Sequence, residues 1–154
     1  MRLTRYTDYA IRVLIYLGTR EGQLSSIREI AMSFGISQNH LMKVAQDLAA
    51  DGFVESVRGR NGGLRLARAA NQINLGAVLR STEALDELVA CDGCIIARRC
   101  DLPPILAEAT KAFVSVFEKY TVADLVGRGQ AIKQLLSLSM ADQAIDKRED
   151  APIL

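Results

Sequence analysis

Three cysteines within ten residues, Cys91, Cys94 and Cys100, are the side chains best suited to chemistry in this sequence. They are the chain's only cysteines, and such an odd, crowded set does not indicate a framework of structural disulfides. Three thiolates can hold iron in a 2Fe–2S or 4Fe–4S cluster and leave one position for a fourth ligand. An oxygen ligand would bind iron more weakly there, which would leave the site open to nitric oxide, oxygen or loss of iron.

Other uses of these cysteines stay open on spacing alone. Cys91 and Cys94 could form a reversible disulfide that acts as a thiol switch. Zinc could bind the three cysteines together with an acidic residue. The sequence shows no Ser/His/Asp set, no phosphate-binding loop and no carboxylate pair placed for acid–base work, so we do not expect an enzyme.

A helix-turn-helix pattern precedes the cysteines. A first helix is expected with Thr7 as its N-cap, and apolar residues recur at helical spacing as far as Leu17. Ser26 and Glu29 form a capping-box pattern that opens a second helix over 27–34. Gly35 permits the turn that follows, and Ser37 is expected to cap a third helix over 38–50. A short helix, a glycine turn and a longer helix are typical of DNA-binding proteins.

The segment after the third helix predicts a wing. Residues 53–57 alternate as a strand, 58–63 form a basic glycine-rich tip, and 64–67 form a second strand. A recognition helix presents its N-terminal polar side chains to base edges in the major groove, while a narrow basic hairpin suits phosphate or minor-groove contact. The residues expected to contact DNA are Ser37, Gln38, Asn39, His40, Lys43, Arg58, Arg60, Asn61 and Arg65, with Arg2 and Arg5 as further phosphate contacts.

The remainder of the chain predicts a helical region around the cysteines. Asn74 is expected to cap a fourth helix over 75–83, and Pro103 and Pro104 to open a long helix with an apolar stripe. Short helices are expected near 121–125 and 130–140. The predicted organisation is a DNA-binding domain over 1–83, a cluster-binding loop over 84–101, dimerisation helices over 102–140 and a flexible tail over 141–154.

Charge is distributed unevenly along the chain. Residues 1–80 carry 11 Lys or Arg and 6 Asp or Glu, whereas residues 81–154 carry 8 and 12. A basic first half suits a nucleic-acid partner, and an acidic second half suits a sensor or partner region. No apolar run approaches the roughly 20 residues of a membrane span, and no signal peptide is recognised, so we expect a cytoplasmic protein without a membrane partner.

Several of these segments together resemble a known family. The segments are Met1-Arg2-Leu3-Thr4, Thr7-Asp8-Tyr9-Ala10, Gly35-Ile36-Ser37, Asn39-His40-Leu41-Met42-Lys43-Val44 and the wing from Val57 to Leu66. They are similar to the iron-sulfur-cluster winged-helix transcriptional regulators, which include IscR, NsrR and RirA. The resemblance runs from Met1 to about Leu125. It is strongest to the nitric-oxide-sensitive NsrR group, through 39–44 and Asn74-Leu75-Gly76.

The resemblance implies a homodimeric repressor that binds double-stranded DNA at a palindromic operator. The dimer would form through the long helix, with Leu106, Phe113, Val116, Phe117 and Tyr120 at the interface. Cys91, Cys94 and Cys100 would hold the cluster, and Asp8 of the partner subunit would be its fourth ligand. IscR-like members use a histidine after the third cysteine, but the only histidine here is His40. The likeness therefore favours the Asp8 ligand set and a 4Fe–4S over a 2Fe–2S cluster.

These expectations combine into a hypothesis of nitric oxide, iron or redox sensing. An intact cluster bound by Asp8 would join the first helix of one subunit to the sensor loop of the other, and its disruption would release the DNA. The rival hypothesis is a winged-helix repressor without a cluster, which is controlled by thiol oxidation, a small molecule or a partner protein.

Overall fold

The computed structural model describes residues 2–85, 88–127 and 129–149, with side chains as far as residue 139. The prediction of a mainly α winged helix-turn-helix is confirmed. In chain order the elements are α1 (Arg5–Gly18), α2 (Ile27–Phe34), α3 (Gln38–Ala50), β1 (Val54–Val57), β2 (Gly63–Leu66), α4 (Leu75–Thr82), α5 (Leu102–Phe117), α6 (Val122–Leu125) and α7 (Gly129–Glu149).

Helix α1 begins earlier than the sequence indicated. Its N-cap is Thr4, whose hydroxyl oxygen accepts a hydrogen bond from the backbone N–H of Thr7 at 3.2 Å. The prediction that Thr7 caps the helix was wrong, because Thr7 is the third residue of α1 and is fully buried. Its hydroxyl instead donates to the backbone carbonyl of Thr82 at 3.1 Å.

Helices α2 and α3 form the helix-turn-helix at the predicted positions. Ser26 and Glu29 make the expected capping box at the start of α2. Gly35 then adopts a φ of 62°, a left-handed conformation that costs glycine little. Ser37 occupies the N-cap position of α3, although its side chain makes no capping hydrogen bond. The sharp turn between the helices therefore depends on Gly35 rather than on Ser37.

The wing is a two-stranded antiparallel sheet in which Val54 pairs with Leu66 and Val57 with Gly63. Its second strand also touches the segment before α2, because Ser25 and Leu64 exchange both backbone hydrogen bonds at 2.8 and 2.9 Å. A Cβ on Gly63 would lie 2.8 Å from the Ser25 carbonyl oxygen, and this close approach requires glycine. The wing is thus joined to the helix-turn-helix by backbone contacts.

Helices α4 and α5 flank the cysteine segment. The side chain of Asn74 caps α4, as predicted, by accepting from the backbone N–H of Ala77. In the described residues between α4 and α5, 83–85 and 88–101, the chain is irregular apart from a short 3₁₀ turn at Ala97–Arg99. Pro103 and Pro104 lie in the first turn of α5. Helix α5 then packs against α4, and Val114 is its buried residue.

Helices α6 and α7 return the chain to the DNA-binding half. Helix α7 extends to Glu149, nine residues beyond the predicted end at residue 140, and therefore includes much of the segment expected to be a flexible tail. It packs against α2, and Leu136 is buried in the common core. Residues 150–154 of the predicted tail lie outside the described residues. Across the parts of the chain that the structure describes, no helix is long and apolar enough to cross a membrane.

Candidate nucleic-acid interface and cysteine loop

Helix α3 divides its side chains between the core and the surface. Leu41, Val44, Ala45 and Leu48 are buried against α1 and α2. The side chains predicted to read DNA all lie on the exposed side; they are Ser37, Gln38, Asn39, His40 and Lys43. Because four of these five lie at the N-cap or in the first turn, they form a continuous polar surface at the N-terminal end of α3. This end would enter the major groove of DNA.

Two tyrosines of α1 contact residues of α3 at this surface. The ring of Tyr9 stacks on that of His40 with centroids 6.5 Å apart. The hydroxyl of Tyr6 donates to Asp47 at 2.6 Å, and Asp47 also accepts from the ammonium of Lys43 at 2.8 Å. The hydrogen bonds from Lys43 and then Tyr6 hold the pKa of Asp47 below its usual value. Burial, and then the bond to Asp47, raise the pKa of Tyr6, so this phenol stays a donor at neutral pH.

The wing tip is exposed and basic. Arg58, Arg60 and Asn61 all face solvent. Arg65 lies on β2, farther from the tip, where its guanidinium pairs with Glu55 at 2.9 Å. This bond raises the pKa of Arg65 and lowers that of Glu55, so both groups stay charged at neutral pH. The role predicted for Arg65 in DNA contact would require it to share or leave Glu55.

The structure adds residues that sequence reasoning missed. Met42 is exposed on α3 between the polar residues, where a thioether can contact a thymine methyl group. Arg28 is also exposed, in the first turn of α2. The helical period that places Leu41 inward could have identified Met42 as outward. Arg2 and Arg5 are exposed beside the start of α1, as their predicted role requires.

The cysteines lie on an exposed loop. Cys91 and Cys94 are exposed and Cys100 is half-buried, and all three thiols are free. Local turns shape the loop: the N–H of Cys94 donates to the carbonyl of Cys91, and the N–H of Ala97 to that of Cys94, both at 3.2 Å. Gly93 takes a φ of 74° within the first turn. The loop also exposes Ile95 almost completely.

The donor set fits an iron-sulfur cluster by chemistry, since free thiols are the ligands such clusters use. Among the described residues, however, no three Cys, His, Asp or Glu side chains lie close enough to share a metal ion. Asp8, the predicted fourth ligand, pairs with Arg12 on α1 at 2.9 Å and is half-exposed. Holding a cluster would therefore require the exposed loop to fold around it.

A cleft adjoins this loop. It has a volume of about 760 Å³ and lies between α4, the loop and α5. Cys91 lines it together with Glu83, Leu106 and Thr110. An ion pair between Arg80 and Glu118, 2.6 Å apart, also lines it and joins α4 to α5. The cysteine loop thus borders both helices that flank it.

The stripe predicted to form the dimer interface is largely open on α5. On α5, Ile105 is exposed and Val116 is 49% exposed. Tyr120 was predicted to lie on this helix, but α5 ends at Phe117, and Tyr120 follows it at 50% exposure. Leu106, Phe113 and Phe117 are half-buried, and the two phenylalanine rings lie 5.0 Å apart. Inward packing depends on Val114, which the stripe did not include. Within the part of the chain that the structure describes, this apolar helix face is left without cover, a feature typical of interaction surfaces.

The helix-turn-helix, the exposed polar end of α3 and the basic wing tip together define a winged-helix DNA-binding protein. The comparison with known families gives the particular family. A family model described as the Rrf2 iron-dependent transcriptional regulator matches residues 3–128. The chain belongs to the Rrf2 family and is a transcriptional regulator rather than an enzyme.

Curated relatives agree with this assignment. The HTH-type transcriptional regulator NsrR of Bacillus licheniformis is 45% identical over 143 residues, which cover 89% of this chain and all of the relative. The NsrR of Bacillus subtilis is 45% identical over 144 residues, which cover 90% of this chain and 99% of the relative. The predicted resemblance to NsrR-like regulators is therefore confirmed.

Solved structures share the fold. The IscR of T. potens superposes with a TM-score of 0.68 at 23% identity, covering 83% of this chain and 88% of that one. CymR, described as the global cysteine regulator of B. subtilis, gives a TM-score of 0.66 at 23% identity, covering 83% of this chain and 98% of that one. At this identity the likeness concerns the fold alone.

Proposed function

We propose that this regulator is a homodimeric repressor that senses nitric oxide through a 4Fe–4S cluster. The observation that carries the proposal is the group of three free thiols on one exposed loop, attached to a complete winged-helix unit. A DNA-binding unit without a sensor would not need exposed cysteines so close together. The names of the relatives support the same class of protein.

The DNA partner is a palindromic operator. A dimer has two recognition helices related by two-fold symmetry, and such a dimer matches a site of inverted half-sites. In each subunit Gln38, Asn39 and His40 would contact bases, and Arg58 and Arg60 the phosphates or minor groove. The open stripe on α5 would supply the dimer contact, since its exposed apolar side chains gain most from being covered.

Cys91, Cys94, Cys100 and Asp8 of the partner subunit would hold the cluster. When bound, the cluster would supply iron that reacts with nitric oxide. Asp8 is available for this role because its pair with Arg12 is half-exposed, and an exposed ion pair contributes little. A thiolate-rich site with one carboxylate has its weakest bond at the oxygen, so control would be concentrated at Asp8.

Helix α1 would carry the signal to the DNA surface. Asp8 lies in its first turn, and α1 packs directly against α3. Two tyrosines of α1 contact α3: Tyr6 donates a hydrogen bond to Asp47, and the ring of Tyr9 stacks on that of His40. A tie at Asp8 would fix the position of α3 relative to the partner, and release of that tie would alter the spacing between the two recognition helices.

The experiment is anaerobic purification followed by measurement of the visible spectrum, iron, sulfide and operator affinity. We expect about four iron and four sulfide per subunit, with colour and operator binding both lost on addition of nitric oxide. Asp8→Ala should retain iron but bind the operator weakly or lose its response. Asp92→Ala, which removes an exposed acid from the loop itself, is the control. An Asp8→Ala protein with normal affinity and response would contradict the proposed ligand.

A thiol switch is the second candidate, and one observation favours it. The turn that joins the Cys94 N–H to the Cys91 carbonyl holds these two exposed cysteines close in space. A colourless protein after attempted reconstitution, with operator binding lost on mild oxidation and restored by a reductant, would favour this candidate over the cluster. If Cys91→Ala left regulation untouched, both candidates would be wrong and a small molecule or partner protein would control the repressor.

A further inference from the structure

Two helices of this molecule begin with a carboxylate supplied by their own first turn. At α2 the carboxylate of Glu29 accepts from the backbone N–H of Ser26 at 2.6 Å and from its hydroxyl at 2.9 Å. At α6 the carboxylate of Asp124 does the same for Thr121, at 2.7 and 2.8 Å. In both cases the acid is three residues after the N-cap, as in a capping box.

Helix α1 has the same arrangement with a distant acid. Three residues after its N-cap the chain has Thr7, which carries no carboxylate. Glu83 instead accepts from the backbone N–H of Thr4 at 2.7 Å and from the hydroxyl of Thr4 at 3.0 Å. A negative charge at this position also suits the positive end of the helix dipole. The cap of the first DNA-binding helix is thus completed by a residue 79 positions away.

A second bond joins the same two segments. The buried hydroxyl of Thr7 donates to the backbone carbonyl of Thr82 at 3.1 Å. Residues 82 and 83 therefore contact the first turn of α1 through both backbone and side-chain atoms. We define the two contacts, Thr4 with Glu83 and Thr7 with Thr82, as the α1 latch.

Glu83 also belongs to the region of the cysteines. It is the C-cap residue of α4, directly before the 84–101 loop. It lines the cleft that Cys91 and Leu106 also line. One side of Glu83 therefore faces the first DNA-binding helix, and the other faces the space between the loop and α5.

We propose that Glu83 is a positioning residue that couples the cysteine loop to the start of α1 within one subunit. This inference rests on the proposed function only in taking the loop as the sensor. A rearrangement of the loop that moves Glu83 removes the cap of α1. Arg2 and Arg5, which lie within two residues of Thr4, then lose their fixed position for DNA, as does Asp8 in the same turn.

The first test compares Glu83→Ala with Glu83→Gln in cluster-free protein, with Glu108→Ala as an exposed-acid control. Amide hydrogen exchange of Thr4 is followed by NMR. Exchange should rise about tenfold in Glu83→Ala, since the amide loses its hydrogen bond. Glu83→Gln should stay near wild type, because its side-chain oxygen can still accept both bonds. Unchanged exchange in Glu83→Ala would overturn the latch.

The second test perturbs the loop itself. Alkylation of the cysteines with iodoacetamide needs no cluster, and it should raise Thr4 exchange in wild type but not further in Glu83→Ala. An equal response in both proteins, or no response in wild type, would overturn the coupling. Spectra and operator affinity of the anaerobic protein are measured in parallel. If the protein holds no cluster but alkylation still raises Thr4 exchange, only the proposed function is refuted. If the cluster responds to nitric oxide but Thr4 exchange does not change on alkylation, only this inference is refuted.

Discussion

The DNA-reading unit (residues 4–82) and the part of the cysteine loop described without a gap (residues 88–101) differ in how far the chain alone determines their shape. The reading unit has capped helices, a paired wing and a core that includes Leu14, Leu41 and Leu48. The loop exposes Cys91 and Cys94, and the backbone bonds described within it are local turns. The unit that contacts DNA is therefore formed in advance, whereas the loop depends on what binds to it.

The largest expected effect concerns stability. Leu41→Ala removes a side chain that is 1% exposed, and we expect a loss of about 2–5 kcal/mol in the free energy of unfolding. Ile95→Ala, at a residue that is 99% exposed, should change it by less than about 0.5 kcal/mol. Urea denaturation of both variants in cluster-free protein measures the difference. Comparable losses would show that the loop is packed like the core, and the comparison would fail.

The next effect concerns DNA affinity without a change in stability. Gln38→Ala should weaken operator binding by about 1–3 kcal/mol, because it removes a side chain at the exposed start of α3. Gln46→Ala removes the same amide from an exposed position two turns later and should leave affinity near wild type. Fluorescence anisotropy with an operator fragment selected from random DNA gives both values. If the two variants weakened binding equally, the N-terminal end of α3 would not be the reading surface.

The smallest expected effect is a difference in unfolding free energy between substitutions of two serines, Ser26 and Ser37, which are the N-cap residues of α2 and α3. Ser26→Ala removes a hydroxyl that caps α2 and should cost about 1 kcal/mol of unfolding free energy. Ser37→Ala, at an N-cap whose side chain makes no capping bond, should cost less. Thermal and urea unfolding of both variants test this order. A reversed order would mean that Ser37 rather than Ser26 stabilises the helix-turn-helix.

Sequence reasoning succeeded where short-range chemistry determines the structure. The capping box at Ser26, the left-handed Gly35, the glycine-rich wing tip and the cap at Asn74 each depend on neighbours within a few residues. Such signals can be read directly from the chain. The residues expected to read DNA therefore lie together on one surface, and their roles in binding stay predictions.

Long-range contacts account for the differences. The N-cap of α1 is Thr4 rather than Thr7, and the acid that completes this cap, Glu83, is far away in sequence. The stripe on α5 was identified correctly as apolar, yet the side that packs inward depends on Val114 and on where α4 lies. The extent of α7 depends on its packing against α2, which no local pattern shows. The arrangement of the cysteines also stays a prediction, since the loop is shaped only by local turns.

The packing of α7 against α2 has a consequence for the folding of the protein during its synthesis on the ribosome. Ser139 donates to the carbonyl of Ser33, and Leu136 is buried in the core that includes Ile30. Synthesis proceeds from the N-terminus, so α2 and α3 emerge well before the segment that covers them. The helix-turn-helix completes its packing only when nearly the whole chain has been translated. A messenger RNA truncated before the codon for residue 129 would thus yield a polypeptide that contains every residue expected to contact DNA. That polypeptide would lack α7, which packs against α2 of the helix-turn-helix.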